Sequence, residues 1–125
     1  MQRRSIRRRL GGMETHMLLV ASSDSEGAEK TLTGLAEAAL SRGHEVTLFF
    51  SDSSVRTLAQ GDGEGGYAGL HSRGVRLLAC RTSALASDVL SSGGFMAGVE
   101  MSSLGELALL LEEHDRVVFI GGDGG

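Results

Sequence analysis

The chain has 125 residues, of which 41% are hydrophobic and 22% are charged, so it suits one globular domain with a single core. Basic residues are concentrated at the start: five of the twelve lie at positions 3–9, and no acidic residue precedes Glu14. The rest of the chain carries seven basic against sixteen acidic residues, which argues against a nucleic-acid-binding surface. The one cysteine excludes an internal disulfide and favours a reducing compartment, so we expect a cytoplasmic protein.

Residues 1–16 are predicted to form a basic leader ahead of the folded domain. The paired arginines resemble an export signal, but Gly11, Gly12 and Glu14 follow them where such a signal needs an apolar stretch. The apolar run at 17–21 is too short for a signal peptide or a membrane span. We therefore expect a leader without regular structure, or an upstream start before Met13 or Met17, and a single domain over residues 17–125.

The domain alternates short apolar runs with helical patterns. Helix starts are indicated by two pairs with capping-box spacing, Ser23 with Glu26 and Ser103 with Glu106. A glycine-rich loop at 61–66 and a flexible connection at 91–98 interrupt the pattern. The predicted helices cover 23–42, 54–61, 67–74, 82–90 and a segment that begins at 103. The apolar runs predict strands at 17–22, 45–50, 75–80 and 115–121.

Alternation of strands and helices predicts an α/β fold, a three-layer sandwich around a mostly parallel sheet of about four strands. We expect the flavodoxin-like strand order 2-1-3-4, in which the first and third strands are neighbours. Ligands of such sheets bind outside the carboxyl ends of the strands where the winding reverses. The loop 22–27 and Cys80 are then predicted to meet at that crevice.

Cys80 is the candidate catalytic residue, at the end of the third predicted strand. Thr82 or Ser83 is expected to cap the next helix, which would turn free amides and the positive end of the helix dipole towards the thiol. Arg81 adds positive charge beside it, and both effects favour a reactive thiolate. The structural alternative is that Cys80 is a packed small hydrophobic residue.

Other features carry weaker indications. The loop 22–27 could bind a phosphate at a helix start, but it lacks a Walker or G-x-G-x-x-G pattern, and capping explains its composition. Phe95 and Met96 stand among glycines and are expected to pack either within the chain or against a protein partner. No cofactor is expected, and no metal site, because the histidines have no ligand spacing: they are His16, His44, His71 and His114.

Three segments carry a resemblance to a known family. They are MLLVASSDSEGAEKTLTGLAEAALSRGHEVTLFF at 17–50, GLHSRGVRLLACRTSA at 69–84 and GVEMSSLGELALLLEEHDRVVFIG at 98–121. In this order the segments resemble the DsrE/DsrF-like (TusD-type) sulfur-relay proteins, and GVRLLAC ahead of the third segment is the most specific part. The similarity runs from Met17 to Gly121.

The resemblance implies a small α/β sandwich that assembles into homotrimers or hexamers, in some cases with paralogous subunits. It also implies a sulfurtransferase activity in which Cys80 accepts sulfane sulfur as a persulfide from a donor protein and passes it to an acceptor protein. Two other functions stay open: a non-catalytic oligomeric binding or scaffold subunit of the same fold, and a nucleotide- or phosphate-binding module that uses residues 22–27.

Overall fold

The computed structural model describes residues 15–60 and 66–121, and all structural statements below concern these residues. The predicted leader up to residue 14 and residues 61–65 of the predicted glycine-rich loop lie outside the described residues. The strands are β1 His16–Ala21, β2 Glu45–Phe50, β3 Arg76–Cys80, β4 Val99–Ser102 and β5 Arg116–Ile120. The helices are α1 Glu26–Ser41, a 3₁₀ helix Asp52–Leu58, α2 Gly66–Ser72, α3 Arg81–Ala86 and α4 Leu104–Glu113.

The five strands form one parallel sheet in the order β4-β3-β2-β1-β5. The α/β class, the parallel sheet and the three layers are therefore confirmed. The predicted order 2-1-3-4 is wrong, because β2 lies between β1 and β3. The predicted number of about four strands is one too few, because β4 falls in a segment that shows no apolar run.

The strand order explains how the helices divide between the two faces. The chain steps in one direction from β1 to β4 and then returns past β1 to place β5 on its far side. Crossovers between parallel strands are right-handed, so a reversal of direction moves the connecting helix to the other face. Helix α1 thus covers one face, and α4, which connects β4 to β5, covers the opposite face.

The larger apolar cluster lies between the sheet and α1, α2 and the 3₁₀ helix. Phe95 and Met96 pack against this cluster. Of the two predicted alternatives, packing within the chain or against a protein partner, the structure shows packing within the chain. Ala59 forms a β-bridge with Phe95, and the Met96 amide donates to the Leu58 carbonyl at 2.9 Å. The connection between α3 and β4 is therefore anchored as far as residue 96.

The two predicted capping boxes differ in outcome. Ser25, and not Ser23, is the N-cap of α1, and its hydroxyl accepts a hydrogen bond from the Ala28 amide at 3.1 Å. Ser103 caps α4 as predicted, since its hydroxyl accepts from the Glu106 amide at 3.0 Å. Within residues 15–60 and 66–121, no helix combines the length and the apolar character needed to cross a bilayer.

Candidate functional site

Cys80 is the last residue of β3 and, at the same time, the N-cap residue of α3. Its side chain forms no capping hydrogen bond, and the helix begins directly at Arg81. Thr82 and Ser83 therefore lie in the first turn of α3, and the prediction that one of them caps this helix is wrong. The predicted position of the cysteine, at the carboxyl end of the third predicted strand, is confirmed, and this strand is β3.

The thiol of Cys80 is packed in the smaller apolar cluster. Alternate residues of a strand face the same side of a sheet, so Cys80 and Leu78 both face α4. Only 3% of Cys80 is exposed, although the sequence led us to expect an accessible thiol. Cys80 is buried because its side chain lies on the face of the sheet that α4 covers, within the smaller apolar cluster. The other buried members of the cluster are Leu18, Val20, Phe49, Leu78 and Leu110.

A polar pair lies beside the thiol on the side of the edge strand. Ser102 of β4 is the register partner of Cys80, so the two side chains point to the same face. Ser102 is buried, and its hydroxyl donates to Oε1 of Glu106 in the first turn of α4 at 2.5 Å. From the sequence, Glu106 is predicted only as part of a capping box, and Ser102 could not be predicted, since a single serine in VEMS carries no signal of its own.

The three residues predicted to support the thiol lie at the start of α3, outside the apolar cluster that contains Cys80. Arg81 and Thr82 are exposed, and the Ser83 hydroxyl accepts a hydrogen bond from the Asp52 amide at 2.8 Å. Thr82 and Ser83 line a cavity of about 300 Å³ together with Asp52 and Arg56. Cys80 is not one of the described residues that line this cavity. The predicted site residues are therefore divided. Cys80 lies in the smaller apolar cluster, whereas Thr82 and Ser83 line this cavity, which we call the polar cleft.

The loop 22–27 does not meet Cys80 at the predicted crevice, because β2 separates the strands that precede the two segments. The loop approaches the polar cleft instead: Oδ2 of Asp24 lies 3.9 Å from Nη1 of Arg56. The cleft also contains a left-handed backbone conformation at Asp52, with φ of 52°. The hydrogen bond from the Asp52 amide to the Ser83 hydroxyl joins the start of the 3₁₀ helix to α3. This bond fixes the segment after β2 relative to the end of β3.

Two of the histidines that look scattered in the sequence come close together at the amino ends of the strands. The rings of His16 and His114 are perpendicular, with centroids 6.5 Å apart. Nε2 of His16 lies 3.1 Å from Oε1 of Glu45, which joins β1 to β2. The backbone amide of His16 donates to Oδ2 of Asp115 at 2.9 Å, which joins β1 to the residue before β5. In the part of the chain that the structure describes, no group of three or more His, Cys, Asp or Glu residues could hold a metal ion.

The parallel five-stranded sheet between two helical layers, with a lone cysteine closing β3, defines a small three-layer α/β domain. The model of the DsrE/DsrF-like family matches residues 16–120, a span that includes Cys80, Ser102 and Glu106. The chain belongs to this family, as its resemblance indicated. The family suggests a role related to sulfur relay.

Solved structures of two relatives have the same fold. The YchN protein from E. coli is 23% identical, with a TM-score of 0.67, and the match covers 84% of this chain and 98% of that protein. MTH1491 from Methanobacterium thermoautotrophicum, described as a protein of unknown function, is 17% identical with a TM-score of 0.72 and the same coverage. No curated protein matches the chain.

Proposed function

We propose that this protein is a sulfur-relay protein in which Cys80 carries sulfane sulfur between two partner proteins. The Cys80 thiolate attacks the outer sulfur of a donor persulfide, R–S–SH, which forms Cys80–S–SH and releases the donor thiolate. An acceptor thiolate then attacks the outer sulfur of Cys80–S–SH, takes that sulfur and regenerates the Cys80 thiolate. One sulfur atom moves in each step, and no external oxidant or reductant is consumed.

The observation that carries the proposal is the place of the cysteine. Cys80 lies inside the family match and ends β3 at the carboxyl edge of the sheet, directly before a helix. As the chain's one cysteine, it cannot be consumed by an internal disulfide, so a persulfide formed on it remains available to a partner. Arg81 follows it directly and is exposed, and we assign it the role of cationic neighbour to the departing sulfur. Thr82 and Ser83 support the start of α3 from the adjoining cleft.

The partners we propose are a sulfur donor protein, an acceptor protein and further copies of the chain in a homotrimer or hexamer. Large apolar side chains that stay in solvent support an assembly: Leu85, Leu104, Leu109 and Phe119 are 67%, 60%, 59% and 65% exposed. Helix α4 is apolar on its inner and outer faces, which is typical of a helix covered on both sides. A free cysteine is stable in a reducing compartment, so we place the protein in the cytoplasm.

A second candidate function follows from the burial of Cys80. With 3% of the residue exposed and an apolar cluster around it, Cys80 can equally serve as a packing residue in a binding or scaffold subunit that performs no sulfur chemistry. The two functions predict different reactivity. A carrier thiol reacts with a sulfane donor while the chain stays folded, whereas a packing thiol reacts only when the chain unfolds.

Intact-mass spectrometry after incubation with a low-molecular-weight persulfide tests the proposal. The folded protein should gain the mass of one sulfur atom, and a reductant should remove it. The Cys80→Ala variant has no thiol and should gain nothing, and alanine suits the apolar surroundings better than serine. The same reaction in denaturant shows that the donor is active. A gain in denaturant with none in the folded state, alone or assembled, contradicts the carrier function and favours the scaffold.

A further inference from the structure

A thiol that transfers sulfur must be reached by its partners, and the structure limits the ways to reach Cys80. On one side of β3 lie β2 and β1 in the interior of the sheet. Of the strands that the structure describes, only β4 lies on the other side, an edge strand of four residues that pairs with β3. On the α4 face the thiol lies within the smaller apolar cluster, to which Leu110 of α4 belongs. The β4 side is therefore the thinnest cover, with one short strand between the thiol and the edge of the sheet.

Backbone pairing with β3, packing of Val99 against the larger cluster and two polar side-chain contacts hold this edge in place. Arg76 of β3 and Glu100 of β4 form a bidentate pair, with Nε–Oε2 and Nη2–Oε1 distances of 3.2 and 3.0 Å. The hydrogen bond to Glu100 raises the pKa of Arg76 above its ordinary value, so the guanidinium stays charged. The second contact, between Ser102 and Glu106, joins β4 to α4 and does not hold either of them to β3. These two elements are therefore coupled to each other, and Arg76–Glu100 is the side-chain clasp between β4 and β3, beside the backbone pairing of the two strands and the packing of α4 on the smaller cluster.

The chain before β4 has the glycines that a hinge requires. Gly93, Gly94 and Gly98 have φ of 118°, 85° and 96°, in the region open to glycine. The amide of Gln60 donates to the Gly94 carbonyl, and that of Met96 donates to a carbonyl of the 3₁₀ helix, so the chain is fixed up to residue 96. Gly98 stands between this anchor and the first residue of β4.

We propose that β4 and the first turn of α4 move as a flap about Gly98, and that the Arg76–Glu100 clasp regulates access to the Cys80 thiol. Separation of β4 from β3 removes Ser102 from beside Cys80 and, through Glu106, draws the start of α4 with it. The inference rests on the proposed function for its purpose, since a carrier must expose its sulfur to partners. Thiol access itself is measurable with a reagent that carries no sulfane sulfur, so the two ideas can fail separately.

The test is the rate at which iodoacetamide, a small uncharged reagent, alkylates Cys80 in the folded protein. The Glu100→Gln variant removes the clasp, and we expect alkylation to become about two- to fivefold faster, the range that corresponds to an exposed ion pair. The matched control is Glu37→Gln, which breaks the Arg73–Glu37 pair of similar exposure on the other helical layer and should leave the rate unchanged. Exchange of the charges in Arg76→Glu with Glu100→Arg should restore the parental rate.

The global unfolding constant of every variant, taken from urea titrations, separates local opening from loss of the whole fold. The proposal requires Cys80 of the parent protein to be alkylated faster than its global unfolding constant allows. It also requires the Glu100→Gln substitution to raise the alkylation rate by a larger factor than it raises the global unfolding constant. Equal rates in the Glu100→Gln and Glu37→Gln variants, or alkylation that follows global unfolding in all variants, overturns the flap. If iodoacetamide alkylates Cys80 in the folded protein but a sulfane donor does not load it, the relay function is rejected and the flap is still supported.

Discussion

Replacement of Gly98 by alanine tests whether the entry to β4 needs a backbone conformation that only glycine adopts easily. Gly98 has φ of 96°, and a Cβ at this position would lie 2.5 Å from two atoms of the His71 ring. The left-handed backbone costs a non-glycine residue about 1–3 kcal/mol. The contact with His71 adds less, because this side chain is exposed and its ring can rotate away. We expect Gly98→Ala to lower the free energy of unfolding by about 1–3 kcal/mol and Tm by about 4 °C for each kcal/mol.

Calorimetry and urea denaturation followed by circular dichroism measure this loss. Gly34→Ala is the matched control: Gly34 lies within α1 with open space around it, so alanine there should stabilise the protein by about 0.5–1 kcal/mol. His71→Ala combined with Gly98→Ala should recover only the part of the loss that comes from the ring contact. A Gly98→Ala variant as stable as the parent protein would refute the reasoning, because it would show that alanine tolerates this backbone.

Three further predictions concern the caps and the two apolar clusters. Ser25→Ala should cost about 1 kcal/mol of stability and Ser23→Ala clearly less, by urea denaturation; the reverse order would contradict the assigned N-cap of α1. Burial, and then the charge of Glu29, raise the pKa of Tyr67, so the folded state should lose stability as pH rises beyond about 10, where unfolded tyrosine ionises. Thermal scans should show that Tyr67→Phe lacks this loss; an identical alkaline decline in both proteins would exclude Tyr67 as its source. Leu110→Ala should cost about 2–5 kcal/mol, and a loss far below that would show that α4 does not cover the smaller cluster.

Strands buried on both faces could be predicted from the sequence almost to the residue. The strand predicted at 45–50, EVTLFF, coincides with β2, and β1 begins one residue before its predicted start. Such strands are continuous apolar runs because helices cover both sides of a parallel sheet. β4 was missed because it is a short edge strand, and Glu100 lies on it in a partly solvated position. Its four residues, VEMS, alternate apolar and polar as a half-buried strand does, but a stretch at the minimum length for this pattern gives a weak signal.

The strand order and the environment of Cys80 could not be predicted, and the reason is the same for both. A connecting segment does not encode which neighbouring strand it reaches, because that choice depends on packing between distant parts of the chain. The reversal after β4 places α4 on the face to which Cys80 points, so the thiol lies in one apolar cluster with Leu110, a residue thirty positions away. The sequence placed the cysteine correctly along its strand, whereas its burial depends on the order of the strands.

The central claim, that Cys80 carries sulfur between proteins, is tested most directly by a single turnover with radiolabelled sulfane sulfur. The folded protein is loaded from a persulfide, freed of donor and mixed with a thiol protein, and the label on each protein is followed with time. We expect one labelled sulfur per chain at Cys80, lost at the same rate at which the acceptor gains it. Label that never binds to the folded chain, or that stays on it while the acceptor remains unlabelled, would contradict the relay function.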